Sequence, residues 1–363
     1  MTAVEWAMSQ RLMSRALPRL EVLVIPLLAL AAGSALFSAF LAVQGKSPAE
    51  FFALIWKAGF ASGFSWQNTL SRVSPLLFAG LCVAIPARLG LMVIGGEGAI
   101  VLGGLAAAVM GAALPGLPAM AGLTLMALAA MVVGGLWIGT VGALRVKRGV
   151  NETIASLLMA YIATAVFNQL VESVFRDPAS LNKPSTPTLS DALRVGEMPF
   201  FGAHWGVAAG VLACLLAWVL IERTTLGFAA RVTGDNIRAA QVQGLPVARL
   251  VIGFTALAGA LAGLAGFYEV AAVHGAANAS LISGAGYTGI LVAFLARHNP
   301  LAIIPVAILL GGFDAASGLV QRRMDLPDAT ILVFQGIVFL SVLLSETLYG
   351  RLPQWTRNQI QRA

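Results

Sequence analysis

Charge is the scarcest ingredient of this sequence. Only 11% of its 363 residues are Asp, Glu, Lys or Arg, against about 25% in an ordinary soluble domain. A compact body in water needs more polar surface than that. Cysteine occurs twice, at Cys82 and Cys214, far apart and without a CxxC pair, which excludes a disulfide scaffold and a thiolate metal site. Histidine occurs three times, at His204, His274 and His298, with no HExxH pattern. No glycine–x–serine–x–glycine elbow is present either, so a hydrolytic centre has nothing to be built from. Gly45–Lys46–Ser47 imitates the end of a phosphate-binding loop, but Phe40 stands where that pattern requires glycine.

Apolar residues fill the space that charge leaves. They make up 58% of the chain, and mean hydropathy is +0.86. A helix rising 1.5 Å per residue needs about 20 apolar residues to cross the hydrocarbon layer. Ten stretches approach that condition: Val22–Val43, Thr69–Pro86, Leu91–Leu114, Ala119–Leu144, Thr153–Val171, His204–Ile221, Leu250–Val273, Gly284–Ala296, Leu301–Val320 and Ile331–Thr347. The eighth is too short to cross on its own and reads as broken, tilted or re-entrant. Phe51–Phe64 carries Lys57 and reads as interfacial. The expected fold is therefore an all-α polytopic membrane bundle of about ten segments, with a range of eight to ten.

The net charge of +7 sets topology, since the basic residues are scattered and form no stripe for nucleic acid. With the N-terminus inside and ten alternating spans, 15 of the 23 Lys and Arg fall on the cytoplasmic side. This places both termini in the cytoplasm, although Arg322 and Arg323 fall on the other side. The expected layout has a cytoplasmic or interfacial segment at 1–21, a transmembrane domain at 22–347 and a cytoplasmic tail at 348–363. Two hydrophilic loops punctuate it. The proline-rich 172–203 faces outward. The 222–249 loop faces the cytoplasm and holds a short helix between Gly227 and Gly244, either a docking surface for another protein or a connector resting on the membrane.

Of the 39 glycines, many lie inside the spans, with Gly135 and Gly139 in small-xxx-small spacing and Gly259, Gly263 and Gly266 along one side of another span. Such residues let helix backbones approach closely in lipid. Polar residues inside the spans are the candidate functional groups, because each is costly there unless it has a partner. Glu97, among Gly95, Gly96 and Gly98, is either a gate or pathway residue or a carboxylate bonded to backbone freed at a helix break. Asn168, Gln169, Glu269 and Asn278 could line a polar route or serve structure. Asn151 and Glu152 suit a cap and a first-turn acid at a helix start.

Several stretches together resemble the membrane permeases of bacterial ABC importers in the branched-chain amino acid, ribose and nucleoside group, nearest to the simple-sugar and nucleoside subset. Arg88–Leu89–Gly90–Leu91–Met92–Val93–Ile94–Gly95–Gly96–Glu97–Gly98 resembles that group's "F-R-x-G-L-x-N-I-G-x-E-G-Q", with Val93 and Ala99 replacing its two amides. Lys147–Arg148–Gly149–Val150–Asn151–Glu152 resembles the start of its fifth span, and Ala293–Phe294–Leu295–Ala296 with Pro300 its late "A-L-L-G-x-x-x-P" segment. Thr224–Phe228, Arg231–Asn236 and Ala239–Gly244 are similar to its coupling loop. The resemblance runs from about residue 68 to 345. It implies a non-catalytic permease subunit in the inner membrane that imports a small polar solute, a nucleoside or related sugar. It implies an ABC ATPase subunit carrying ATP and magnesium, a second homologous permease in a heterodimer rather than a homodimer, and an extracytoplasmic substrate-binding protein. It also implies ATPase coupling through Gly227, Arg231, Gly234, Asp235, Asn236, Arg238, Ala239, Ala240 and Gly244. This chain would bind no cofactor or metal. The alternative is an ion-gradient-driven secondary transporter, which inverted repeats with matching broken helices would favour.

Overall fold

The computed structural model describes residues 24–347 apart from 115, 181, 200, 201 and 328. The segment expected at 1–21 and the tail at 348–363 lie outside the described residues. Thirteen α-helices are present among these: α1 (Val24–Val43), α2 (Pro48–Gly59), α3 (Gly63–Ala87), α4 (Gly96–Ala113), α5 (Ala119–Arg148), α6 (Glu152–Glu172), α7 (Gly206–Arg223), α8 (Thr225–Asp235), α9 (Ile237–Val242), α10 (Val247–Tyr268), α11 (Ala285–Leu295), α12 (Pro300–Met324) and α13 (Ala329–Glu346). There is no sheet among the described residues, only two isolated bridges. Eight of the helices are long and apolar enough to cross a membrane, and two shorter apolar stretches cover Ala279–Leu295 and Ala329–Ser345. The protein is an all-α polytopic membrane bundle whose span count sits at the low end of the expected range.

The helices divide into two compact units, one of residues up to Leu54 and from Ser317 on, the other Ile55–Ala316. In the first, Phe37 meets Phe51 at 4.8 Å and Phe334 at 5.0 Å between ring centroids. Lys46 Nζ donates to the Met324 carbonyl at 2.6 Å, satisfying an acceptor that the end of α12 leaves open. In the second, α10 is the central helix and lies against α3, α4 and α5. Glycine makes that possible. A Cβ at Gly263 would stand 2.1 Å from the Ala130 carbonyl oxygen, and one at Gly266 would stand 2.0 Å from that of Ile100. Gly135 and Gly139 also face α10, at Ala256.

At the end of α10 the chain widens into a π-helix, Glu269–His274. A strap from the 172–203 loop runs antiparallel along this π-helix and the segment that follows. Val195 N–H donates to Ala271 O at 2.9 Å, Leu189 N–H to Gly275 O at 2.8 Å and Thr186 N–H to Ala277 O at 3.0 Å. Leu189 and Leu193 drop onto the bare backbones of Gly111 and Gly122, where a Cβ would come within 2.5 Å and 2.3 Å of their methyl carbons. The proline-rich loop is thus anchored to the bundle by backbone hydrogen bonds and two leucines.

Candidate functional site: a half-helix junction and a paired-helix face

Two helices of the larger unit begin partway along their neighbours. After α3 the chain turns at Gly90, in the left-handed region at φ +72°, and climbs back without helical structure. Ile94 N–H donates to Ser156 Oγ at 3.0 Å, and Thr153 Oγ1 donates to the Met92 carbonyl at 3.1 Å. At Gly95 a Cβ would lie 2.4 Å from the Ser156 carbonyl oxygen, so α6 leaves room there for glycine alone. The next residue, Gly96, rests on Cys82 Sγ, five residues back from the end of α3. The second such helix, α11, has 11 residues, about 16 Å of rise and about half of a hydrocarbon layer.

Glu97 joins the two starts. It stands in the first turn of α4, and its carboxylate accepts from Gly284 N–H at 2.8 Å (Oε1) and from Gly286 N–H at 2.7 Å (Oε2). These are orphan donors at the start of α11, which a helix cannot satisfy internally. The carboxylate thus sits at two helix N-termini, where macrodipoles favour negative charge. Gly286 permits the contact, since a Cβ would stand 2.2 Å from the Glu97 nitrogen. Glu97 is 1% exposed. It is spent on backbone donors 187 and 189 residues away and does not line an open surface.

The other polar residues singled out from the sequence are dispersed. Asn168 is half-buried and Gln169 exposed on α6. Asn278 caps a short 3-10 turn through Ser280 N–H at 2.9 Å and bridges to Ser185. Glu269, in the π-helix, pairs with His274 at 3.3 Å, within electrostatic reach of Glu97 and His204. Burial pushes the His204 imidazole below its ordinary value, against the opposing pull of the Ser71 carbonyl and the Glu269 and Glu197 charges. Asn151 Oδ1 accepts from Thr153 N–H at 2.9 Å and Ile154 N–H at 3.2 Å, capping α6, while Glu152 pairs with Arg145 at 3.4 Å.

The 222–249 loop folds into two helices rather than one. Thr224 Oγ1 caps α8 by accepting from Gly227 N–H at 3.2 Å. Asn236 ends α8 and caps α9, its Oδ1 accepting from Ala239 N–H at 3.1 Å. Gly227 lies against the Leu220 and Ile221 carbonyls, and Gly234 against the Arg88 carbonyl, with 2.5 Å to a Cβ built there. Arg231 Nη1 donates to Ile221 O at 2.7 Å and to Glu222 Oε2 at 2.9 Å. Asp235, Arg238 and Gly244 are exposed and Ala239 is half-buried, whereas Ala240 is 0% exposed within its own chain. The outward side is carried by Ile237, Arg238, Gln241 and Val242, the last 89% exposed. The sequence does not single out Glu222, which opens the 222–249 loop, or Arg88, which opens the Arg88–Gly98 stretch, as partners. Their signal was two opposite charges, each closing an apolar run beside the same loop.

Eight helices long and apolar enough to cross a membrane, a half-length α11 and close glycine contacts between helices make this a polytopic membrane protein. The chain belongs to the family described as "Branched-chain amino acid transport system / permease component", which matches residues 65–343. It is similar to the guanosine ABC transporter permease protein NupP of Bacillus subtilis, at 32% identity over 87% of this chain and 93% of that one. It is similar as well to the glucose ABC transporter permease protein TsgB13 of Haloferax volcanii, at 30% identity over 88% and 87%. The nucleoside ABC transporter permease protein NupB of Lactococcus lactis is 22% identical over 94% and 98%. The chain is thus a multi-pass inner-membrane protein, the non-catalytic permease subunit of an ABC-type importer. Among the described residues no group of three His, Cys, Asp or Glu could hold a metal ion.

Proposed function

We propose that this permease passes a neutral, small polar solute, a nucleoside or a simple sugar, and that α8 and α9 are the seat of its ATPase. The names of the relatives, guanosine, glucose and nucleoside permeases, support that cargo class. The engagement of Glu97 by backbone donors, which keeps that carboxylate from a cationic solute, agrees with a neutral cargo. A second homologous permease, in a heterodimer, would complete the path, and an extracytoplasmic binding protein would deliver the solute. ATP and magnesium would be held by the ATPase. In this reading the membrane domain spans 22–347, both termini and the 222–249 loop face the cytoplasm, and 172–203 faces outward, as the distribution of basic residues favours.

The observation that carries the docking assignment is the capped helix pair itself. Thr224 and Asn236 fix two short helices outside the long apolar ones, and Ile237 and Val242 remain exposed in a stretch otherwise rich in polar residues. Of the residues that the resemblance implies, Gly227, Gly234 and Ala240 support the pair from within. Arg231 ties the pair back to the end of α7 through Ile221 and Glu222, while Asp235, Asn236, Arg238, Ala239 and Gly244 lie towards its outer side. The test is Val242→Asp in the reconstituted complex. Burying an unpaired carboxylate where an apolar side chain docks should weaken ATPase association about tenfold or more, with the permease still monodisperse. Uptake of whichever of labelled guanosine and glucose the parent complex imports would fall with it. Unchanged association would reject α9 as the seat.

A further inference from the structure

Four segments of the larger unit converge on Arg88, which ends α3. Its Nη2 donates to the His298 carbonyl at 3.1 Å and lies 3.8 Å from Glu222 Oε1 at the end of α7. The other oxygen of Glu222 holds Arg231 of α8 at 2.9 Å. The Arg88 carbonyl lies under Gly234, so backbone and side chain of one residue touch the α8 region and the turn between α11 and α12. That turn is strained: Arg297 and His298 adopt φ of +51° and +54°, a region that non-glycine residues rarely occupy.

Two polar atoms here are buried without a hydrogen-bond partner among the described residues, Arg88 Nε and His298 Nδ1. One is a donor. The other is a ring nitrogen that accepts when the imidazole is neutral with its proton on Nε2. Burial, and secondarily the Arg88 charge, hold His298 below its ordinary value, which keeps the ring neutral at pH 7. Buried orphan groups are costly and uncommon. Here a donor and an acceptor are orphaned on two residues that already touch, while the Arg88–Glu222 contact is long for an ion pair.

We propose that Arg88 is a two-position link between the α8–α9 helices and the α11–α12 turn, held to Glu222 in this state and turning its Nε–H onto His298 Nδ1 when α8 moves. This rests on α8 and α9 being the ATPase seat. Displacing α8 draws Arg231 and Glu222 with it, releases Arg88, and lets the new hydrogen bond pull on the strained turn. The start of α11 is pinned to Glu97, so motion at its far end tilts the half-helix rather than sliding it. Arg88, Glu222 and His298 are positioning residues for transport. None of them needs to touch the solute.

The experiment measures solute imported per ATP hydrolysed, beside ATPase association, in proteoliposomes of the full complex. His298→Leu removes the acceptor and should lower the ratio about fivefold to tenfold, with association unchanged. His298→Gln keeps an acceptor and should stay within about twofold of the parent. Arg88→Lys keeps the charge but loses the planar fork, and should match His298→Leu. The double variant should be no worse than either alone, because both break one link. If the parent couples normally and all variants keep its ratio, the link is refuted while the docking assignment stands. A parallel loss of association and ratio refutes it too, since that marks a merely structural role. If His298→Leu fails to fold, the His298→Gln and Arg88→Lys pair still decides, because the proposal requires them to differ. A parent that binds no ATPase overturns the docking assignment first, and this link with it.

Discussion

The unit Ile55–Ala316 is held together by what glycine leaves out, while the unit of residues before Leu54 and after Ser317 is held together by what phenylalanine fills in. Around Gly263 three helices meet backbone to backbone: a Cβ on Gly103 would stand 2.5 Å from its Cα, and one on Gly263 itself 2.1 Å from Ala130 O. In the other unit Phe37, Phe51, Phe52 and Phe334 occupy the interhelical space, with centroids between 4.8 and 5.9 Å apart. Lipid gives helices no aqueous hydrophobic drive to associate. Cohesion must come from contact, and contact can be reached by thinning the helix surface or by bridging a wider gap. The first solution is rigid in its demands, because carbonyls cannot move aside. The second is adaptable, because rings can rotate and shift. The unit whose half-helices must hold a fixed geometry uses the rigid one.

The sharpest way to break this contrast is Gly263→Leu. The new side chain would start against the α5 backbone at Ala130 and Met131, which cannot move aside. The expected cost is about 3 kcal/mol or more, at the upper end of overpacking effects. It should appear as loss of the monodisperse peak in detergent and of uptake together. A variant that melts within a degree or two of the parent would show that these helices separate easily, and the contrast would fail.

How far the sequence foretold this arrangement depended on range. Gly259, Gly263 and Gly266 could be placed on one side of their span by helical spacing, and the structure sets them against α4 and α5. The segment Gly284–Ala296 declared itself too short, and α11 is a half-length helix. The apolar Phe51–Phe64 stretch gave only a general signal, and it divides into the end of α2, a turn and the start of α3 at Gly63. What stayed hidden was pairing at a distance. Glu97 could be recognised as a carboxylate in need of backbone donors, but nothing near it named Gly284 and Gly286 as the donors. The phenylalanine cluster was invisible for the same reason, since Phe334 lies some three hundred residues from its partners and shares no periodicity with them. Local spacing reports a helix's own faces, and only the fold reports which face meets which.

A smaller effect is expected in the adaptable unit. Phe334→Leu keeps an apolar side chain of somewhat lower volume, with Phe37, Phe51 and Phe52 free to close around it. The cost should be about 1 kcal/mol, near the bound for tolerated hydrophobic exchanges, and thermal melting of the purified permease would read it. A loss as large as that of Gly263→Leu would mean that the rings interlock as rigidly as the glycine backbones, and the distinction between the two units would disappear.

The finest test stays within α10 and changes only the neighbourhood. Gly253 and Gly263 lie on the same helix, but a Cβ at Gly253 would meet nothing within 4 Å, and Gly253 is exposed. Its φ is not in the positive range where a side chain would be strained. Alanine there removes the backbone freedom that makes glycine a poor helix former, an effect of about 0.5–1 kcal/mol in favour of the folded state. Gly253→Ala should therefore raise the melting temperature slightly and leave uptake unchanged, opposite in sign to Gly263→Leu. Should Gly253→Ala destabilise the protein instead, that face of α10 is covered in the working complex, and the surface for the second permease would have to include it. If it stabilises, the intolerance at Gly263 belongs to the facing backbone of α5 and not to glycine as a residue of α10.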